Sequence, residues 1–348
     1  LLNRFGALQG NLKIIQFMKR IITTLLILFS ITIVKAQEID SLSFIKSKRM
    51  SDADLEKKKE GTFITGIPDF SSDPVTGFGF GARTNIYWNG NRDNPLFPYT
   101  PYLMKLTANA AYYTSNAREL ILKLDVPYYK GTRWRFKVDF KAQQNPANLY
   151  FGLTESTLGQ LRLPSDENTT FSTYAAFDRA RKTLRPGGVG EADFVTDALS
   201  NRFRETEYML NLKADYALGK GKWRIMGGYE IQHLSYATFE GMEAEAIDPI
   251  TGQTTTAPNG ISLLRRDFED GLISGVDGGW VSIIQTALIF DTRDFEPDPT
   301  KGYYFEIANE YSSKYIGSQF DFNKLFIQGR AYQKIPVGKR TVLAGRFG

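Results

Sequence analysis

The chain has 348 residues, with 43 Lys plus Arg against 38 Asp plus Glu, one His and no Cys. The absence of cysteine excludes disulfides, thiolate metal sites and cysteine nucleophiles, and a single His excludes His-rich metal cages. The formal net charge of +5 would suit a nucleic-acid binder, but Arg4, Lys13, Lys19, Arg20 and Lys35 carry that whole excess within the first 36 residues. The remainder is balanced, so the composition implies no nucleic-acid partner.

Met18-Lys19-Arg20 opens a run from Ile21 to Val34 that is apolar apart from Thr and Ser, followed by Lys35-Ala36 and Gln37. A basic start, an apolar centre and a small residue at the end describe a secretory leader over 18–36. The run is too short for a helical span, which needs about 20 apolar residues. Residues 1–17 precede the first Met and read as an upstream extension. Residues 37–60 are polar and charged and read as a solvated periplasmic linker, with a helical turn capped by Ser51.

From Gly61 to Gly348 the hydropathy alternates with period two, which marks strands with two unlike faces. Trp134, Phe136, Val138 and Phe140 alternate with Arg133, Arg135, Lys137, Asp139 and Lys141. Tyr208, Leu210, Leu212 and Ala214 alternate with Glu207, Met209, Asn211, Lys213 and Asp215. The pattern predicts strands near 62–68, 76–88, 102–114, 118–127, 132–142, 205–218, 222–237, 280–291, 302–313, 319–334 and 340–348. Many are longer than the five or six residues usual in soluble proteins and match the 9–11 that a tilted strand needs to cross a bilayer. Aromatic residues such as Trp88, Tyr102, Tyr128, Trp223, Trp280 and Tyr303 recur near strand ends, as in an interfacial girdle. The fold class is therefore all-β, an antiparallel transmembrane β-barrel, here a wall of about 11 long strands.

If the first strand runs outward, the long connections 143–204 and 238–279 lie outside the cell and the tight turns lie mostly in the periplasm, as bacterial barrels require. A helix is expected around 191–201. Gly77, Gly79 and Gly81 leave one strand face bare, which fits close approach of another segment rather than a nucleotide fingerprint. His233 and Ser235 share a face with Trp223, Ile225, Tyr229 and Ile231, which reads as lipid-facing packing rather than a hydrolase pair. No catalytic, cofactor or metal residue is assigned.

The segment Ile289-Phe-Asp291-Thr-Arg293-Asp294-Phe-Glu-Pro297-Asp-Pro299-Thr-Lys-Gly302 reads as a strand end, a proline-rich turn and a glycine that opens the next strand. Asp291 and Arg293 share a strand face and are placed to pair toward the lumen. This pattern, with Gly317-Ser-Gln-Phe-Asp-Phe-Asn-Lys324, Gly329-Arg-Ala-Tyr332 and Val342-Leu-Ala-Gly-Arg346 after it, resembles the bacterial surface antigen family of BamA/TamA-type outer-membrane barrels. Gly61 to Trp88 resembles the start of a Bacteroidetes-type member. The resemblance marks Asp291, Arg293, Asp294, Pro299 and Gly302 as a family-motif turn of structural importance.

Two departures qualify it. Residues 37–60 are too few for a POTRA domain. The family's Arg-Gly motif, on a loop folding into the lumen after the eleventh strand, is expected beyond Gly348, as in a sixteen-stranded parent of which this is a C-terminally truncated piece. The resemblance implies insertion or translocation of protein or lipid at the outer membrane, without enzymatic chemistry. The alternative is a passive pore or structural barrel whose lumen charges set selectivity. Outer-membrane lipid, other outer-membrane proteins and periplasmic chaperones are the implied partners.

Overall fold

A computed structural model describes residues 41–348 apart from 74, 154–160, 164, 189 and 338–340. The expected leader and upstream extension lie outside these residues. Eleven strands form one antiparallel sheet: β1 (Thr62–Asp73), β2 (Gly77–Trp88), β3 (Met104–Tyr113), β4 (Arg118–Val126), β5 (Trp134–Leu149), β6 (Arg202–Leu218), β7 (Trp223–Ala237), β8 (Gly279–Asp291), β9 (Gly302–Ser312), β10 (Phe322–Lys334) and β11 (Val342–Phe347). Each strand pairs with its neighbours in chain order, so the sheet is a continuous meander. It does not close, and β1 and β11 are its edges. Three strands run longer than expected: β1 continues through Pro68, β5 continues through Pro146, and β6 begins at Arg202. Pro68 sits in an edge strand, where its missing N–H costs no ladder bond.

The two faces differ as the alternation requires. In β8, Ile283, Gln285, Ala287, Ile289 and Asp291 are buried, whereas Ile284 and Leu288 point outward and are exposed. The outer face of the other strands likewise shows Trp223, Ile225, Tyr229, Ile307 and Tyr311. An exposed aliphatic and aromatic band outside a polar inner face suits a bilayer. His233 lies on that outer band, its ring edge-on to Trp280 at 4.8 Å, in an aromatic packing contact. At Gly79, an added Cβ would fall 2.5 Å from the Tyr113 ring, and at Gly81 2.7 Å from the Ala110 carbonyl, so the bare stripe admits a close neighbour.

Connections 89–103, 127–133, 219–222, 292–301 and 335–341 share one rim, the short-turn rim. The described parts of the long connections 150–201 and 238–278 share the other and fold together. Two antiparallel ribbons, one joining Glu243–Ile247 to Thr254–Pro258 and one Arg185–Pro186 to Phe194–Val195, are stitched by backbone bonds from Leu184 to Ile247 and from Thr196 to Pro258. Arg185 bridges Glu191 and Asp197 at 3.0 and 2.7 Å, and Arg181, itself buried, bonds Asn201 and Asp178. The helix expected at 191–201 is absent from that stretch. A helix forms instead over Tyr174–Lys182, because the Thr173 hydroxyl accepts from the Ala176 N–H as an N-cap.

The solvated linker also needs correction. Asp52–Lys57 is an exposed helical turn, α1, capped by Ser51. Leu42–Met50, in contrast, is packed into the short-turn rim, with Phe44 2 % and Ile45 0 % exposed. An aromatic–aliphatic pair inside a charged stretch has nowhere to bury itself locally, so it finds the rim.

Candidate functional site at the short-turn rim

The β8–β9 turn is built by its own side chains. The Asp294 carboxylate accepts from the backbone N–H groups of Phe295 at 3.0 Å and Thr300 at 2.9 Å, and from the Thr300 hydroxyl at 2.5 Å. Those bonds close a turn whose prolines donate nothing; Pro299, just before Thr300, is half-buried. They also hold the Asp294 carboxyl below its ordinary range against the opposing effect of burial. Gly302 ends the turn at φ +109, and a Cβ there would lie 2.4 Å from the Thr292 carbonyl oxygen. Only glycine fits that backbone.

Asp291 and Arg293 do meet. The Arg293 Nε and a guanidinium N–H donate to the two Asp291 oxygens, each at 2.9 Å, and the guanidinium stacks over Tyr304 at 4.7 Å. Asp291 is 1 % exposed and also faces Arg224 of β7 at 3.3 Å and Lys48 at 3.2 Å. Glu296 reaches back from the turn to Arg135 of β5 at 2.8 Å, Arg224 at 3.4 Å and Lys48 at 3.6 Å. Arg135 is in turn gripped by both oxygens of Asp125, at 2.6 and 2.7 Å, and Asp125 accepts from the Tyr102 hydroxyl at 2.7 Å.

Six segments thus converge on one buried charge network: β4, β5, β7, the end of β8, the β8–β9 turn and the strap Leu42–Met50. Burial alone would raise the Glu296 carboxyl. The nearby Arg135, Arg224 and Lys48 outweigh it and hold the carboxyl well below its ordinary value. Such a network is costly to break, because removing one member leaves a buried charge uncompensated. Lys48, Arg135, Arg224 and Glu296 were not singled out in the sequence. The visible signals were the alternation of β5 and β7 and the lone Phe44-Ile45 pair.

Apolar burial and charge share the work of holding the strap. Phe44 packs edge-on against Tyr128 at 5.4 Å, under the Arg133 guanidinium at 4.6 Å, and Ile45, Leu96 and Ala217 complete the cluster. Tyr128 sits in the left-handed region at φ 50, an unfavourable conformation for a bulky residue, and its ring is part of this cluster. Burying Phe44, Ile45 and Met50 returns about 2–3 kcal/mol each. Ordering Leu42–Met50 costs about 1 kcal/mol or more per residue. These terms are of similar size, so the Lys48 ion pairs, the Arg133 guanidinium over Phe44 and the Met50–Pro98 backbone bond add to what holds the strap.

A long-stranded antiparallel wall, apolar outside and charged inside, with short turns on one rim and a folded lobe on the other, defines a transmembrane β-barrel protein. Residues 104–348 match the family model of the Omp85 superfamily domain, and residues 40–103 match a domain of unknown function (DUF5982). The chain belongs to the Omp85 superfamily, a BamA/TamA-type group of outer-membrane barrels, and it resides in the bacterial outer membrane. The match over 40–103 takes in the strap and the first two strands together.

Among solved structures, the chain is similar to BamA from Haemophilus ducreyi lacking POTRA domains 1–3, at 10 % identity and TM-score 0.36, over 83 % of this chain and 40 % of that one. It is also similar to the NanC porin, at 7 % identity and TM-score 0.27, over 78 % of this chain and 92 % of that one. The chain therefore spans about two fifths of the length of the BamA structure. No curated protein sequence matches it.

Proposed function

We propose that the protein takes part in inserting or translocating protein or lipid at the outer membrane, without enzymatic chemistry. The observation that carries this reading is the superfamily match over 104–348. In this reading the leader 18–36 is removed, the short-turn rim with residues 37–60 faces the periplasm, and the long-loop lobe faces outside. Outer-membrane lipid, other outer-membrane proteins and periplasmic chaperones are its partners.

The test is reconstitution of the purified protein into lipid vesicles with an unfolded outer-membrane barrel as client. Folding is read by the heat-modifiable gel shift. The reading expects folding several-fold faster than in protein-free vesicles. A second reading, a passive pore, draws on the ion pairs that line the inner face, Lys137 with Asp215 and Lys141 with Glu207. Steady ion conductance with no acceleration of the client would favour it and defeat the first.

A further inference from the structure

The strap touches the short-turn rim at four successive connections. Phe44 meets Tyr128 of the β4–β5 turn, and its carbonyl lies so close to the β6–β7 turn that a Cβ on Gly221 would be 2.2 Å away. Lys48 reaches the β8–β9 turn through Asp291 and Glu296. The Met50 N–H donates to the Pro98 carbonyl at 2.9 Å, in the β2–β3 connection. Lys58 then donates to the carbonyls of Phe97 and Thr100 at 2.6 and 2.7 Å, over the Phe97 ring, and burial lowers its pKa to about 8. The Asn89 side chain donates to the Lys59 carbonyl at 2.6 Å, and the Arg92–Glu60 pair ties Glu60, two residues before β1.

Connections so far apart in strand order touch one short segment only because the sheet curves and the segment crosses the concave side. It is a chord across the mouth of the wall. It also leads without a break into β1, one of the two sheet edges. The chord is anchored firmly by backbone and carbonyl bonds beside β1. At its far end it is anchored by Phe44, Ile45 and a single lysine.

We propose that Leu42–Glu60 is a releasable cross-brace. Docked, it sets the curvature of the wall and covers the short-turn mouth; the Lys48 contact to Asp291 and Glu296 is the latch, and its release lets the mouth widen. This rests on the geometry of the chain and holds whichever cargo the protein handles.

Two measurements on the full-length protein in detergent or vesicles test it. Trypsin needs several residues of unfolded chain, so Lys46, Lys48 and Arg49 report docking. Cleavage there is expected to be at least tenfold slower in the native protein than in Phe44→Ala/Ile45→Ala. Lys48→Met, which leaves the apolar anchors intact, is expected to fall between them at the Lys46 and Arg49 sites. Spin labels on Asn91→Cys and Lys301→Cys, across the mouth in a chain without native cysteine, report curvature. The distance distribution is expected to be narrow with the strap docked and to lengthen or broaden in both strap variants. Equal cleavage of native and variant proteins would mean that the strap does not dock. A freed strap with an unchanged label distance would mean that it packs on the rim without bracing it. Either result overturns the proposal.

Discussion

Replacing Glu296 by Gln removes one charge from the centre of the rim network and keeps its shape. The carboxylate faces three cations, Arg135 at 2.8 Å, Arg224 at 3.4 Å and Lys48 at 3.6 Å. Breaking a buried ion pair on one side costs about 3–5 kcal/mol. Here each cation keeps a second partner, Asp125 for Arg135 and Asp291 for Arg224 and Lys48, so the lower end applies, about 3 kcal/mol. At about 1.4 kcal/mol per factor of ten, the folded-to-unfolded ratio should fall by about a hundredfold. Urea unfolding in micelles, followed by the fluorescence of the four tryptophans, measures it. Glu60→Gln is the internal comparison, because its pair with Arg92 is about half exposed on both sides and is worth about 0–1 kcal/mol. If the two variants shift the urea midpoint equally, the rim network is not a buried cooperative unit and the reasoning fails.

Other outcomes follow from the same geometry. Gly302→Ala should destabilise by about 1–3 kcal/mol, since φ +109 and the Thr292 carbonyl 2.4 Å from the new Cβ both oppose it; a urea midpoint like the native one would show that the turn can relax. The Glu296 carboxyl lies below its ordinary 4.5, so its stabilising contribution is full above that value and disappears as pH falls through the lower folded value. The urea midpoint should thus hold from pH 7 to 5 and drop below about 4.5, with a smaller drop in Glu296→Gln; an equal drop in both would assign the effect to other carboxylates. Single cysteines at Ile250, 92 % exposed at a ribbon tip, and at Thr255 should react with an impermeant thiol reagent on intact cells; labelling at Gly221→Cys instead would invert the proposed orientation.

The wall was legible from the residues alone because strand alternation is local. Period two in Trp134–Lys141 or Tyr208–Asp215 needs no distant partner to be read, and the eleven strands follow from it in number and order. The β8–β9 turn is local in the same sense: Asp294, Thr300 and Gly302 are close in sequence and shape one another. The helix in the first long connection was misplaced because its position depends on a cap at Thr173, and the runs around 174–182 and 191–201 are both compatible with helix. What only the tertiary structure decided is which distant residues meet. Arg135 and Glu296 stand 161 residues apart, and nothing in either neighbourhood marks the other. Nor does the polar stretch 37–60 reveal that Phe44 and Ile45 leave it for a pocket formed by Leu96, Tyr128 and Ala217. Strand periodicity fixes which face a side chain takes. The curvature of the sheet brings the turns within reach of one another, and the strap and its charge network exist only once that curvature does.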